Sequence, residues 1–156
     1  MEQVCHIRWM IRRDLPRVMQ IDELCFGFPW SEEECIRCLR QRNCIGMVAE
    51  RGDEVVGFMI YELHKNRINL LVFGVDPNYG RRGIGSAMID KLVSKLSPGR
   101  RNRITLCVVD DNLDAHLFFR RLGFKAEWVH RGTGCNGSDE YEMVYRVNAS
   151  KEVSDE

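Results

Sequence analysis

The chain has no surplus of either charge, since 23 of its 156 residues are Lys or Arg and 23 are Asp or Glu. Without a global field to draw it onto a polyanion, neither nucleic acid nor a membrane is expected as a partner, and any phosphate binding must be local. Long apolar runs are missing as well: no window approaches the roughly 18 residues of a membrane helix. Met1 to His6 include Glu2 and no apolar stretch, so no secretory leader is expected. Internal repeats and low-complexity segments are absent. Cysteine, by contrast, is plentiful. The seven thiols are odd in number and fall in segments that read as helix and strand, which fits reduced side chains in the cytoplasm better than a disulfide framework. Cys35-Ile36-Arg37-Cys38, with Cys44 and Cys25 nearby, is the one cluster suggestive of a metal. It lies inside a helical pattern rather than in turns, so no metal is expected there.

Residues 7–11 read as a strand. Asp14 then stands as the N-cap of a helix that ends near Cys25, with Leu15, Val18, Ile21 and Leu24 as its apolar face. Ser31 and Glu34 have capping-box spacing, Trp30 can staple the entry, and a second helix runs to about Gln41. Strands over 45–50, 55–64 and 68–75 follow as an antiparallel meander, with turns at 51–53 and 65–67. Ile84, Met88, Leu92 and Leu96 repeat every four residues, so a third helix extends from a glycine-rich turn to Ser97-Pro98-Gly99. A strand over 104–109, a helix capped by Asp111 or Asn112 and closed by Gly123, and strands over 124–130 and 141–147 complete the order. The elements imply one α/β (α+β) domain over residues 1–147, with a mixed sheet of six to seven strands and about four helices on its two faces. The polar tail 148–156 is expected to be disordered.

A strand, a glycine-rich turn and a helix start together make an anion site. Glycines admit close backbone approach, and the free amides and positive dipole of the helix converge on one point. Arg81 and Arg82 add charge, and Ser86 adds a hydroxyl donor. A P-loop is excluded because Ser86 follows Gly85 with no lysine between them. A dinucleotide fingerprint is excluded because Met88 stands where a third small residue belongs, and because the turn follows the fourth strand rather than the first. Val75-Asp76-Pro77-Asn78-Tyr79-Gly80-Arg81-Arg82-Gly83-Ile84-Gly85 instead resembles motif A of the GNAT superfamily of acetyltransferases. Asn112 with Phe118-Phe119-Arg120-Arg121-Leu122-Gly123-Phe124 resembles the family's second coenzyme A element. Asp14-Leu15-Pro16 and Phe28-Pro29-Trp30-Ser31 resemble the branch that acetylates the N-terminal alanine of a ribosomal protein.

The resemblance implies the GNAT fold and acetyl-coenzyme A as co-substrate. It also implies a primary amine as acceptor, the N-terminal α-amine of a protein first among them. The amides of Arg81, Arg82, Gly83, Ile84, Gly85 and Ser86 would hold the pyrophosphate. The backbone of Phe73, Gly74 and Val75 would pair with the pantetheine arm, and Asn112 would reach the same arm.

The sequence departs from the family's pattern at three places. Gly80 replaces the usual Gln or Arg, which removes a side-chain anchor and implies weaker cofactor affinity. The family's base and acid positions fall on Cys107 and Phe119. Phenylalanine has no proton to give, and Cys107 reads as a small buried hydrophobe with a raised pKa on an apolar strand. Orientation of an amine against a thioester still accelerates transfer. An α-amine near pKa 8 is about a tenth neutral at pH 7, whereas lysine near 10.4 is neutral in less than about one molecule in a thousand, so the missing base favours an α-amine. Glu62 is the first candidate for a substitute, water-mediated base, ahead of His64, His116, Glu127, Tyr141 and Tyr145. Two other readings stand beside this one. A non-catalytic acyl-coenzyme A binding module would explain the loss of both groups, and a small-amine acetyltransferase would suit Asp139, Glu140 and Glu142. Arg100-Arg101-Asn102-Arg103 reads as a solvated loop rather than an RNA site. Either a monomer or a dimer is compatible with these features.

Overall fold

The stretch from Val55 to Tyr61 carries no charge and is buried without interruption, as a strand covered on both faces must be. It belongs to the third of seven strands that a computed structural model shows, with four helices, among the residues it describes: 4–26, 30–80, 82–134 and 136–147. The strands are β1 (His6–Trp9), β2 (Cys44–Arg51), β3 (Glu54–Leu63), β4 (Ile68–Val75), β5 (Arg103–Val109), β6 (Lys125–His130) and β7 (Glu140–Arg146). The helices are α1 (Leu15–Cys25), α2 (Glu32–Leu39), α3 (Ile84–Val93) and α4 (Leu113–Arg121). The sheet order is β1-β2-β3-β4-β5-β7-β6. The pairs β1/β2, β2/β3, β5/β7 and β6/β7 are antiparallel. Ile68 and Asn69 of β4 pair in parallel with Ile104 and Thr105 of β5. The sheet is therefore mixed, as the order of elements implied. No helix among the described residues is long and apolar enough to cross a membrane.

The described residues fall into two units, one within 1–63 and 70–94 and the other within 64–69 and 95–156. In the first, Val48, Phe58, Ile60 and Val72 form a core with Leu15, Val18 and Ile21 of α1 and Cys35 of α2. Side chains alternate along a strand, so Gly57 faces the opposite way from Phe58. A Cβ on Gly57 would lie 3.0 Å from the Met88 sulfur of α3 and 3.2 Å from the Gly74 carbonyl oxygen. A side chain there would press on both neighbours, and helices thus cover both faces of this part of the sheet. In the second unit Ile104, Leu106 and Val108 share a face with Tyr145, Met143 and Tyr141 of β7. The α4 helix packs on that face, with His116 edge-on to Tyr141 and Phe119 reaching Tyr145 through Phe124.

Four local expectations change. Leu24 is 57% exposed, because a three-residue repeat turns back 60° per step against the helix's 100° per residue and leaves Leu24 opposite Leu15. Asp22 takes the buried place, at 1% exposure. Asp14 stands at the N-cap of α1 but does not cap it. Its carboxylate instead accepts from Arg8 at 2.8 and 2.9 Å and from the Ile11 amide at 2.8 Å. The α2 helix ends at Leu39 and α3 at Val93, the latter where the Ser94 hydroxyl donates to the Lys91 carbonyl at 2.6 Å. The capping box of α2 forms as expected, with Ser31 Oγ accepting from Glu34 N at 3.1 Å and Glu34 accepting from Ser31 N at 3.2 Å.

Candidate active site

The anion turn is built between β4 and α3. Asp76 ends the strand, and its Oδ1 accepts from the Asn78 amide at 2.9 Å, which folds Pro77–Tyr79 into a 3-10 turn. Its Oδ2 accepts from Arg17 Nη2 at 2.6 Å, and Arg17 Nε donates to the Val55 carbonyl at 2.9 Å. Burial works to raise the Asp76 pKa, but the Asn78 amide and the Arg17 guanidinium outweigh it and hold the carboxyl below its usual value. Tyr79 donates its hydroxyl to Glu54 at 2.7 Å, and the Arg82 guanidinium lies 5.5 Å from the Tyr79 ring centre. A groove of about 930 Å³, lined by Arg17, Glu54, Asp76, Tyr79 and Arg82 among others, opens beside the turn.

Gly83 is the N-cap of α3, with φ of 81°. That left-handed conformation strains any side chain, so glycine is required there. The first amide of α3 bonded within the helix is that of Ala87, to the Gly83 carbonyl at 3.0 Å. The amides of Ile84, Gly85 and Ser86 precede it and point out of the helix start, where an anion can accept from them. Ile84 is buried and anchors the turn, while Arg82 is exposed. Arg81 lies outside the described residues. Gly80 has φ of −64° and ψ of 155°, an extended conformation open to any residue. Phe73 and Val75 are half-buried and Gly74 is buried in β4, where the Val75 carbonyl already accepts from the Cys25 thiol at 3.2 Å.

Asn112 caps α4 through Oδ1, which accepts from the Ala115 amide at 3.2 Å. Phe119 is a core residue, edge-on to Phe124 with ring centres 5.2 Å apart. Cys107 corrects the sequence reading, because it is exposed rather than buried. It pairs with Glu142 across the β5/β7 ladder, on the face away from α4, so Cys107 and Phe119 lie on opposite sides of this part of the sheet. Close packing around the sulfur, and after it the carboxylates of Glu140 and Glu142, push the thiol's pKa up. That direction agrees with expectation, and it makes Cys107 a poor base at neutral pH.

Of the remaining candidates, His116, Glu127, Tyr141 and Tyr145 make side-chain contacts within the fold. Glu62 sits near the end of β3 opposite Cys44, and its charge helps to raise the Cys38 thiol. His116 Nε2 is 3.0 Å from the Val109 carbonyl, and the His64 carbonyl accepts from Arg101 Nε at 2.7 Å. Glu127 pairs with Arg146, Tyr141 packs on His116 and Tyr145 packs on Phe124. Cys38 and Cys44 bring their sulfurs within 3.4 Å. Burial, then the Cys44 thiol, pushes Cys38 up to about 12, and burial pushes Cys35 up to about 11. Sequence reasoning missed Arg17 and Glu54, which hold the anion turn, and His130, which with Glu142 flanks Cys107.

The fold is one that known proteins share. The model of the Acetyltransferase (GNAT) family matches residues 15–124. The ribosomal protein bS18-alanine N-acetyltransferase of Escherichia coli (strain K12) is 27% identical over 118 residues, or 76% of this chain and 79% of that protein. The crystal structure of the ribosomal-protein-S18-alanine N-acetyltransferase from Escherichia coli matches with a TM-score of 0.81 at 23% identity, over 92% of this chain and 94% of the other. Ard1 from Thermoplasma volcanium matches with a TM-score of 0.85 at 23% identity, over 94% of this chain and 99% of the other.

Proposed function

The chain belongs to the acetyltransferase (GNAT) family and is an acetyl-CoA-dependent N-acetyltransferase, and on that premise we propose that its acceptor is the N-terminal α-amine of a protein, a ribosomal protein first among the candidates. The base position carries this reading. The Cys107 thiol is pushed above its ordinary pKa and Phe119 carries no proton, so neither position supplies the family's base or acid, and an acceptor that brings its own neutral amine is favoured. An α-amine near pKa 8 does so far more often than lysine near 10.4. The bS18-alanine acetyltransferase, 27% identical, acts on an amine of that kind by its name.

In this reading the amides of Ile84, Gly85 and Ser86, with Arg81, Arg82 and Gly83, hold the pyrophosphate of acetyl-CoA. The backbone of Phe73, Gly74 and Val75 takes the pantetheine arm, together with Asn112. The neutral amine attacks the thioester carbonyl, the C–S bond breaks, coenzyme A leaves as a thiolate that takes a proton from solvent, and the amine's proton passes to solvent. Positioning supplies the acceleration. We take residues 1–147 as one acetyltransferase domain, whose family match runs through both units. We place it in the cytoplasm, since the six described cysteines are free thiols.

Mass spectrometry of a peptide library with varied N-termini, incubated with acetyl-CoA, tests the reading. Acetyl groups on α-amines with a preference for small first residues support it. Modification of lysine side chains, or of polyamines alone, would replace it.

A further inference from the structure

The open face of β5, β7 and β6 brings Cys107, at the family's base position, together with His130 and Glu142, two side chains given no part in the transfer reaction. Donor atoms of Cys107, His130 and Glu142 all lie within 4.8 Å of one another. We propose that Cys107, His130 and Glu142 form a metal site, with zinc as its ion and water in the fourth position.

The backbone builds this cluster deliberately. Cys107 and Glu142 are directly opposed in the β5/β7 ladder. The β6/β7 register runs Lys125 with Val144 and Ala126 with Met143, then shifts so that Trp128 opposes Glu142 and His130 opposes Glu140. One extra residue, Glu127, is inserted there. Since side chains alternate, a one-residue insertion moves every later side chain to the other face. Without the bulge, His130 would face α4; with it, His130 stands on the face of Cys107 and Glu142. Beyond the strand, the loop is pinned by Asp139, which accepts from the Gly132 amide at 2.9 Å and pairs with Arg131 at 3.3 Å.

Distance and charge fit a metal. His130 Nε2 and Glu142 Oε1 share a hydrogen bond at 3.2 Å, a separation that an ion between them would also keep. Tetrahedral zinc with bonds of about 2.0–2.1 Å to nitrogen and oxygen separates such ligands by about 3.3 Å. The nearby guanidiniums of Arg131 and Arg146 pair with Asp139 and Glu127 rather than with Glu142. Glu140, on the same face, adds a second carboxylate. A thiol, an imidazole and a carboxylate form a borderline donor set that suits zinc and disfavours calcium or magnesium.

Cobalt(II) titration of the reduced full chain provides the test. One equivalent of cobalt should bind saturably and give the visible bands of a tetrahedral ion with a thiolate-to-cobalt charge-transfer band, and zinc should abolish both. Cys107→Ser, a near-isosteric change at an exposed position, should remove the charge-transfer band. His130→Gln and Glu142→Gln should each weaken binding at least tenfold, and Cys38→Ser with Cys44→Ser should leave it unchanged. Absence of saturable binding to the wild-type chain would overturn the proposal. So would a spectrum that survives Cys107→Ser or disappears in the Cys38/Cys44 variant. Because the readout is spectroscopic, failure here leaves the acetyltransferase reading untouched.

Discussion

Arg17 and Asp76 meet at 2.6 Å, and through that contact the first helix holds the turn from which the third begins. Asp76 is almost fully buried, and its second oxygen shapes the 3-10 turn through Asn78. The ion pair therefore positions the anion-binding amides rather than the anion. Asp76→Asn should cost about 1–3 kcal/mol of stability at pH 7, the worth of a hydrogen bond to a charged group, and should weaken acetyl-CoA binding in calorimetry. The folded-state pKa of Asp76 is depressed, so its contribution is complete above the ordinary carboxylate pKa and is lost as pH falls through the folded value. The deficit of Asp76→Asn should vanish in acid; a deficit constant with pH would contradict this.

Asp22 should behave in the opposite sense. Its Oδ2 accepts from the Trp30 amide at 2.7 Å, while Oδ1 has no partner among the described residues. Burial first, with the Trp30 amide opposing it, leaves the carboxyl above its usual value. A raised folded pKa means that stability falls as pH rises from the ordinary carboxylate range through the folded value. Asp22→Asn should match the wild type in acid and exceed it at pH 7 by about 1 kcal/mol or more. Chemical denaturation at two pH values checks this.

Gly83 and Gly80 should respond in opposite directions. Valine at Gly83 meets a φ of 81° that β-branched residues avoid, so Gly83→Val should lose acetyl-CoA affinity at least tenfold while the protein remains folded. At Gly80 the backbone is extended, and a Cβ would meet only the Pro77 carbonyl oxygen at 3.4 Å. Gly80→Gln should tighten acetyl-CoA by roughly 1 kcal/mol through a new hydrogen bond. Calorimetry on both variants decides.

Cys107→Glu should raise turnover on an α-amine peptide about tenfold or more, since general bases are commonly worth about 10²-fold to 10⁴-fold when well placed. The new carboxyl would stand beside Glu140 and Glu142, whose charges raise its pKa. The gain should therefore grow as pH rises through that value. Equal rates for variant and wild type at every pH would mean that another group already removes the proton.

The anion turn was legible because its geometry is local. Glycines, a proline and a helix start within eleven residues declare a phosphate cradle without any knowledge of tertiary contacts. Most strands were legible for the same reason, through alternation or, in β3, through an unbroken apolar run. What could not be read was register. Whether Cys107 faces α4 or solvent depends on how β5 pairs with β7, and His130 joins it only because Glu127 bulges. Neither fact has a signal in the strand's own residues. Leu24 and Asp22 failed differently: a three-residue repeat looked helical, yet the full turn angle places the aspartate, not the leucine, on the core face.

The acceptor itself is the most direct test. Two peptides of one sequence should be compared, each starting with alanine and carrying an internal lysine, one with a free N-terminus and the other blocked. Coenzyme A release should be seen with the first alone, with a rate that rises with pH through about 8, the ordinary pKa of an α-amine. Equal release from both peptides, or acetyl found on lysine, would contradict transfer to the protein N-terminus.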